Sequence, residues 1–240
     1  NSGSIIRKVA DNYIVVTGLI TNPQTITQSS LYIERRLPTL DYVCVSQNRV
    51  WGCHASNGIN EIYASELGGA SNWYCYEGTA ADSYALNIGS VGEFTGAISY
   101  QGYPLFFKEN IIYEIVGSYP ASYQLVTFDF RGVQKGSDRS VAIVGEYLMY
   151  KTDMDISIFD GNTPVSISDK LGADNFSQAV AGSCGSKYYV SMHNDDINEW
   201  QLFVYDIDKA IWMKEDNLKI EQFAYNNAGQ LYGNSKIKVY

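Results

Sequence analysis

Two acidic clusters are the first candidates for chemistry in this 240-residue sequence. Asp153 and Asp155 form one cluster, and the second combines Asp195 and Asp196 with Glu199. A pair of carboxylates is what most glycosidases use, one as the acid and the other as the base or nucleophile. The competing interpretation is that these residues are solvated turn formers, because Asp side chains cap turns through their own oxygens.

The spacing within each cluster favours turn formers. Asp153 and Asp155 belong to one predicted turn, and Asp195 and Asp196 are adjacent in another, where alternation along an extended chain would put them on opposite sides. A working dyad also needs one carboxyl whose pKa is raised by burial, whereas wet hairpin loops leave both groups ionised. We therefore predict no catalytic residue and no enzyme, with a glycosidase as the alternative.

The two histidines, His54 and His193, are the next candidates. Each closely follows the predicted second strand of a repeated unit, so both are expected on one rim of the fold. Two histidines without nearby Cys or a carboxylate motif seldom bind a metal, and we predict neither a metal site nor a cofactor. No G-x-S-x-G motif is present and no Ser/His/Asp set stands out, so no activated nucleophile is predicted.

Four tryptophans are candidates for a sugar-binding shelf, namely Trp51, Trp73, Trp200 and Trp212. Trp51 occupies a strand position and is predicted to lie in the core, whereas Trp73 lies in a loop and is the best candidate of the four for exposure. An exposed Trp does not discriminate between a sugar and a protein, since aromatic residues are also enriched at protein interfaces. The predicted interaction surface contains seven residues: Trp73, His54, His193, Asp153, Asp155, Asp195 and Asp196.

The elements that position these residues are short strands, rich in β-branched and aromatic residues and bounded by Gly, Asn or Ser. From Asp41 to Ile88, four such strands follow one another as a meander, which in a β-propeller forms one blade. The first two strands of this unit recur near residues 97, 141, 179 and 222. No segment holds a helical period, so little helix is expected.

Each repeat also carries an aliphatic residue followed by an aromatic one in its third strand. These pairs begin 50, 46, 46 and 35 residues apart and are Ile62-Tyr63, Ile112-Tyr113, Ile158-Phe159, Val204-Tyr205 and Val239-Tyr240. Propeller blades of about 40–50 residues have this spacing. The sequence therefore predicts an all-β fold, a propeller of five four-stranded blades at about 41–88, 95–128, 140–168, 178–214 and 220–240.

The fifth repeat is one strand short, because the sequence stops at its third strand. A spare strand from Leu31 to Leu37 precedes the first blade and ends at Pro38, which cannot sit inside a central strand. We expect this strand to complete the last blade, since that pairing closes the ring and removes an open edge. Residues 1–30 are predicted to be N-terminal strands or an arm, and a sixth blade made with residues 5–20 is the alternative.

The net charge of −9 argues against a basic surface that grips duplex nucleic acid. We predict no specific nucleic-acid binding, only passing contact with DNA, and no membrane span, since the longest apolar runs are too short. The predicted hairpin sets Cys44 opposite Trp51 and Cys53 opposite Tyr42, so these two cysteines cannot form a disulfide without slippage. Reduced thiols suit assembly in a reducing cytoplasm.

Several segments resemble a family of uncharacterised β-propeller proteins encoded among the virion structural genes of tailed phages and prophages of Gram-positive gut bacteria. The similarity is collinear from about Tyr32 to Tyr232, and it includes Arg49–Cys53, Glu61–Gly68, Arg131–Ser137 and Leu202–Asp206. The resemblance implies a propeller associated with the virion or its tail. It carries over no catalytic residues.

Two functional hypotheses follow. The first is a non-catalytic phage structural protein, a tail, nozzle or adaptor component, assembled in the host cytoplasm. Its partners would be other phage structural proteins and further copies of itself in the virion. The second is a propeller that binds or cleaves bacterial surface polysaccharide, which would be favoured by a pocket with two carboxylates about 5–10 Å apart.

Overall fold

The structure, a computed structural model, describes residues 5–10, 13–17, 37, 39–56, 58–226, 228–235 and 238–239. The chain divides into two compact units, residues 1–34 and 35–240. The smaller unit contains an antiparallel hairpin of β1 (Ile5–Ala10) and β2 (Tyr13–Thr17).

The larger unit is a succession of antiparallel sheets whose strands are neighbours in chain order. Sheet 1 contains β3 (Tyr42–Ser46), β4 (Arg49–Ser56), β5 (Ile59–Ala64) and β6 (Tyr84–Asn87). Sheet 2 contains β7 (Gly96–Tyr100), β8 (Tyr103–Lys108), β9 (Ile111–Val116) and β10 (Gln124–Phe128). Sheet 3 contains β11 (Ala142–Val144), β12 (Tyr147–Lys151), β13 (Ile156–Phe159) and β14 (Val165–Ser166). Sheet 4 contains β15 (Phe176–Cys184), β16 (Lys187–Asn194), β17 (Glu199–Asp206) and β18 (Ile211–Asp216).

Sheet 5 has three strands, β19 (Gln222–Tyr225), β20 (Leu231–Ser235) and β21 (Lys238–Val239). The only helical segments among the described residues are three short 3-10 turns, Pro120–Ser122, Asp138–Ser140 and Asp169–Leu171. No helix in this part of the chain is long and apolar enough to cross a membrane. The prediction of an all-β chain built from repeated four-stranded meanders is confirmed.

The register of the first hairpin is also as predicted. Gln47 and Asn48 form a two-residue turn, and both have the positive φ, 52° and 57°, that such hairpin turns favour. Cys44 accordingly pairs with Trp51, and Tyr42 with Cys53. All four cysteines are unpaired thiols, and burial raises the pKa of Cys44 to about 12.

The described residues form three hydrophobic core clusters, one between each pair of consecutive sheets from sheet 1 to sheet 4. Adjacent residues of one strand join different clusters, because successive side chains point to opposite faces. Phe106 packs between sheets 1 and 2 and Phe107 between sheets 2 and 3, and both are fully buried. Leu148 and Met149 repeat this arrangement one sheet further on. Sheets 2 and 3 thus bury apolar surface on both faces, which stabilises the unit.

The first strands of sheets 2 to 5 line one open cavity of about 360 Å³. Its walls include Ile98 of β7, Ile143 of β11, Gly182 of β15 and Phe223 of β19. Gly182 permits a close approach of two strands, since a Cβ atom there would lie 2.5 Å from Phe223 Cβ. β3 in turn lies against β7. First strands that face a common centre are what a propeller requires.

The larger unit has two rims, defined by the loops that they carry. The turn rim carries the turns between first and second strands, and there Tyr100 OH donates to Glu146 O (2.6 Å). The crossing rim carries the hairpins between second and third strands and the crossings to the next sheet. On the crossing rim, Lys108 Nζ donates to Asn60 Oδ1 (3.0 Å) and so links sheet 2 to sheet 1.

The predicted closing strand, Leu31 to Leu37, lies outside the described residues except for Leu37. The backbone N–H of Leu37 donates to Tyr74 OH (3.1 Å), in the loop between β5 and β6 of sheet 1. Sheet 5 lacks a fourth strand among the described residues. The number of blades and the closure of the ring therefore stay predictions.

Candidate functional site

The crossing rim carries six of the seven residues predicted as an interaction surface, but His54 lies in sheet 1 and the other five lie in sheets 3 and 4. These six are His54, His193, Asp153, Asp155, Asp195 and Asp196. Trp73 is the exception, because it lies in the long loop between β5 and β6 at the turn rim. Arg49 holds this loop there by donating to Ser65 O (2.6 Å) and Ala80 O (2.7 Å). Trp73 is half-buried rather than exposed, as are Trp200 and Trp212.

The four tryptophans do not form a shelf. Trp51 is fully buried, as predicted, and Trp212 packs against a core cluster while its indole N–H donates to Ile167 O (2.7 Å). Trp200 lines a cavity of about 280 Å³ on the crossing rim. Arg139 and Lys219 line the same cavity, and Lys219 Nζ lies 4.6 Å from the Trp200 ring centre.

The first acidic pair is bound within the rim loops. Asp153 forms an ion pair with Arg131, in the crossing from sheet 2 to sheet 3. Asp155 Oδ1 accepts hydrogen bonds from Thr152 Oγ1 (2.8 Å) and Ser157 Oγ (3.0 Å) in its own hairpin. Each carboxylate thus fastens a loop, which is how turn formers behave.

The second acidic cluster also fastens a loop to its neighbour. Asp195 Oδ1 accepts from Ser177 Oγ (2.8 Å) and lies 2.7 Å from His193 Nδ1. The hydrogen bond with His193 lowers the pKa of Asp195, although partial burial opposes the shift. An ionised carboxylate has no proton to give, so Asp195 does not suit the acid role of a glycosidase.

The predicted arrangement of this cluster is wrong in two details. Asp195 and Asp196 were expected on opposite sides, but both bind the segment that opens β15, where Asp196 Oδ2 accepts from the Asn175 N–H (2.6 Å). Alternation does not apply because residues 195–198 are the turn itself. Glu199 does not belong to the loop, since it is the first residue of β17.

The two histidines lie inside the second strands, near their ends, rather than after them. His54 belongs to β4 of sheet 1 and His193 to β16 of sheet 4. Each has a carboxylate beside its Nδ1 atom, and for His54 this is Asp41 Oδ1 at 3.1 Å. In the described part of the chain, no group of three or more His, Cys, Asp or Glu residues is placed to hold a metal.

A small cavity of about 90 Å³ separates the hairpin of sheet 3 from the start of sheet 4. The charged residues of its lining are Lys151, Asp153, Asp155 and Asp174. Lys151 is only 3% exposed, and burial lowers the pKa of its ammonium group to about 8. The cavity is far smaller than the roughly 300–1,000 Å³ of ligand pockets, which argues against a bound sugar between these carboxylates.

Sequence reasoning missed Asp41, Ser56 and Lys151. The signal for the first two was present, because a hairpin that sets Tyr42 opposite Cys53 also sets Asp41 opposite His54. Ser56, two residues after His54, then shares a face with it, and its Oγ lies 2.9 Å from His54 Nε2. Nothing in the sequence around Lys151 indicates that it is buried.

Comparisons with known proteins give no family for the chain. No protein-family model matches the sequence, and no match is found among curated proteins. Among solved structures, the chain is similar to a puromycin hydrolase, with 9% identity and a TM-score of 0.47 over 80% of this chain and 32% of that one.

It is also similar to the extracellular domain of a protein assigned as a one-component system of B. thetaiotaomicron. That similarity has 11% identity and a TM-score of 0.37 over 82% of this chain and 31% of that chain. The chain thus spans about a third of the length of both structures. Similarities this weak give no basis for transferring an activity or a substrate.

Proposed function

We propose that the larger unit is a five-bladed β-propeller whose last blade is completed by residues 31–37. Sheet 5 supports the proposal, because β21 has no strand on its outer side among the described residues. An unpaired outer edge leaves backbone N–H and C=O groups open to pairing. The spare strand predicted just before sheet 1 supplies a partner for them.

The six-bladed alternative has a different observation in its favour. Cys44 packs into the cluster between sheets 1 and 2, so Val43 and Val45 lie on the other face of sheet 1. Their side chains are 57% and 68% exposed, which leaves room for another sheet on that face. In a five-bladed ring sheet 5 covers this face, whereas in a six-bladed ring a sheet made with residues 5–20 covers it.

Cross-linking distinguishes the two rings. Ala224 lies on the face of sheet 5 opposite to Phe223, which packs against Gly182 of sheet 4. A short bis-maleimide should therefore join Val43→Cys to Ala224→Cys within one molecule of a five-bladed ring. Two reactive thiols without an intramolecular cross-link would refute five blades, and the single-cysteine variants control for the native thiols.

Truncation tests the closing strand separately. Deletion of residues 1–37 should leave sheet 5 with an open edge and cause aggregation or loss of cooperative unfolding. Deletion of residues 1–24 should be milder, because that stretch lies outside the repeat. Equal damage from both deletions, followed by light scattering and urea unfolding, would contradict the assignment of the closing strand.

For the function, we propose a structural component of a phage particle that acts through protein contacts, without glycosidase chemistry. The observation that carries this proposal is a set of exposed apolar side chains at the tips of crossing-rim loops. Val91 is 93% exposed, Met154 73% and Ile197 53%. Single exposed apolar residues are ordinary, but these three lie in loops on the same rim, in the crossing from sheet 1 to sheet 2 and in the hairpins of sheets 3 and 4, where one partner could contact them together. The assignment to a phage particle rests on the sequence resemblance.

Particle composition tests this function. Phage particles induced from the host that carries the gene should contain the chain, as measured by mass spectrometry after density-gradient purification. A folded variant with Val91→Lys, Met154→Lys and Ile197→Lys should be lost from the particles. The matched control is Leu67→Lys, at a 43% exposed position in the turn-rim loop, which should still be incorporated. A chain found in the lysate but never in particles would refute the proposal.

The glycan hypothesis keeps one specific observation, the cavity of about 280 Å³ at Trp200. An aromatic ring beside Arg139 and Glu221 offers a stacking surface and polar groups for a sugar. Binding of purified protein to host cell-wall polysaccharide, lost in Trp200→Ala and retained in Trp73→Ala, would favour a glycan-binding propeller. Release of reducing sugar that Asp153→Asn or Asp195→Asn abolishes would establish the enzymatic form and overturn the structural proposal.

A further inference from the structure

Three side chains on the crossing rim of sheet 1 form a continuous hydrogen-bonded chain. Ser56 Oγ lies 2.9 Å from His54 Nε2, and His54 Nδ1 lies 3.1 Å from Asp41 Oδ1. Asp41 is fixed in turn, because its Oδ2 accepts the backbone N–H of Ala55 (2.9 Å). We propose that Ser56 is an acyl-transfer nucleophile, with His54 as its general base and Asp41 as the residue that orients His54.

The backbone of the hairpin dictates this arrangement. His54 and Ser56 are two residues apart on β4 and therefore point to the same face. Asp41 immediately precedes β3, and its backbone N–H donates to Cys53 O (2.8 Å), which places it beside His54. All three side chains are thus positioned by one sheet, and a site built on strands holds its geometry better than one built on loops.

The hydrogen bonds select the tautomer that a serine nucleophile needs. An ionised carboxylate only accepts, so His54 Nδ1 must carry the proton that faces Asp41. The Nε2 lone pair is then free to accept the Ser56 hydroxyl proton, which is the division of roles in Ser-His-Asp triads. The His54 side chain is 13% exposed and that of Asp41 33%, while Ser56 is exposed. A substrate can thus reach the hydroxyl while the imidazole stays sheltered.

The reaction that follows is ester hydrolysis in two steps. Ser56 Oγ attacks the ester carbonyl carbon as its proton passes to His54 Nε2; the bond from the acyl carbon to the leaving oxygen then breaks, and that oxygen takes the proton from His54. A water molecule, deprotonated by His54, attacks the acyl-serine, and the carboxylic acid leaves as Ser56 regains its proton. The exposed position of Ser56 admits small acyl groups, and acetyl esters are the substrate class that we propose.

The His193 site has the same residue types as the Ser56 site and serves as an internal control. Ser177 Oγ donates to Asp195 Oδ1 (2.8 Å) rather than to an imidazole nitrogen. His193 Nε2 faces the amide oxygen of Asn198 (3.2 Å) instead of a hydroxyl. The same three residue types therefore occur together at both sites, and only at Ser56 does the serine meet the histidine.

The experiment combines covalent labelling with ester hydrolysis. A fluorophosphonate probe, located by peptide mass spectrometry, should modify Ser56 and leave Ser177 unmodified. Hydrolysis of 4-nitrophenyl acetate should fall by about tenfold or more in Ser56→Ala and in His54→Gln, the range expected when a nucleophile loses its base. Asp41→Asn should lower the rate as well and change its pH profile, because the orientation and tautomer of His54 are lost. Ser177→Ala and His193→Gln should match the wild type.

Two results would overturn the proposal. The first is hydrolysis in Ser56→Ala at the wild-type rate together with its loss in His54→Gln, which would mean that a surface imidazole attacks the ester directly. The second is the absence of probe on Ser56 in protein whose circular dichroism and urea unfolding match those of the control variants. Neither result depends on whether the chain is found in phage particles.

Discussion

Two corners of the crossing rim contain the same ionisable residues with different partners. Each has a histidine whose Nδ1 faces a carboxylate and a buried lysine at the end of a second strand. In the sheet 1–2 corner these are His54 and Lys108, and in the sheet 3–4 corner they are His193 and Lys151. The residue types alone do not reveal what either corner does.

The two lysines show the difference most clearly. Lys108 Nζ donates to Asn60 Oδ1 (3.0 Å), Ser90 O (3.1 Å) and Gly92 O (2.7 Å), all neutral acceptors. Lys151 Nζ donates to Thr152 O (2.5 Å), and its charge is further offset by nearby carboxylates, chiefly that of Asp155. Burial lowers the pKa of both ammonium groups, and it lowers that of Lys151 to about 8. We therefore expect the stability of the sheet 3–4 corner to depend more strongly on pH than that of the sheet 1–2 corner.

The largest expected effect is that of Lys108→Met. The substitution removes the ammonium donor from the Asn60 side-chain oxygen and from the carbonyls of Ser90 and Gly92, although Ser90 O keeps the Asn60 amide as a donor. Hydrogen bonds to a charged group contribute about 1.5–3 kcal/mol each. We expect the free energy of unfolding in urea to fall by about 4 kcal/mol. Lys151→Met is the matched control and should cost about 1 kcal/mol or less, because it removes one hydrogen bond and an unfavourable burial. Equal losses would show that the two lysines are solvated alike.

The next effect is the pH dependence that Lys151 imposes. Below about pH 8 the ammonium is charged in both the folded and the unfolded chain, so the cost of burying it is present in full. Between about pH 8 and 10.5 the unfolded chain binds more protons, and stability therefore rises with pH. The rise is on the order of 3 kcal/mol. The rise is measured as the difference between the free energies of urea unfolding of the wild type and of Lys151→Met across this pH window. A difference that does not change with pH would contradict the burial of the charge.

A smaller loss of stability is expected from substitutions in the hairpins between the second and third strands of sheet 4 and of sheet 1. Asn194 is fully buried in sheet 4, where its Oδ1 accepts from the Asp196 N–H (3.1 Å) and its amide donates to Asp174 Oδ2 (2.8 Å). Asn194→Ala should cost about 2 kcal/mol by leaving these groups unpaired. The sheet 1 turn depends instead on Gly58 with φ +80°, and Gly58→Ala should cost about 1 kcal/mol through backbone strain. If thermal unfolding showed a larger loss of stability in Gly58→Ala than in Asn194→Ala, side-chain hydrogen bonds would matter less in these turns than backbone conformation.

The smallest effect is that of Asp195→Asn. The carboxylate has a lowered pKa, so its contribution is present above the ordinary value of 3.8 and is lost as the pH falls through the folded-state pKa. Its side chain is 45% exposed, and solvent screening limits the contribution to about 1 kcal/mol or less at neutral pH. Acid unfolding should begin at a similar pH in the variant, but the variant should lose less stability than the wild type as the pH falls below 3.8. A loss as large as in the wild type would assign the acid sensitivity to other carboxylates.

The sequence is informative about the sheets because two local rules agree there. Alternation in each strand fixes the faces, and a two-residue turn fixes the register, as at Gln47-Asn48. The same register contained the pairing of Asp41 with His54, although no motif search would find residues so spaced. The proposed site at Ser56 could therefore have been found in the sequence by working out the strand register, but not from the residue composition.

The arrangement of the sheet 3–4 corner could not have been predicted from strand register. Its cavity is formed where the hairpin of sheet 3 meets the crossing segment around Asp174 and Asn175, and no periodicity describes how two irregular loops pack. The burial of Lys151 follows from that packing, as does the half-burial of Trp73 in the long loop of sheet 1. Loops that have no repeating pattern gain their positions only from tertiary contacts.

The division of the core into separate layers has a consequence for how such a chain can change over generations. Each layer is shared by two successive sheets only, so sheets 2 and 3 each present one face to their predecessor and the other to their successor. Duplication of the stretch of gene that encodes one sheet would supply both faces at once, already matched to their neighbours. Lineages descended from one ancestor can thus differ by whole sheets while the remaining interior residues stay the same.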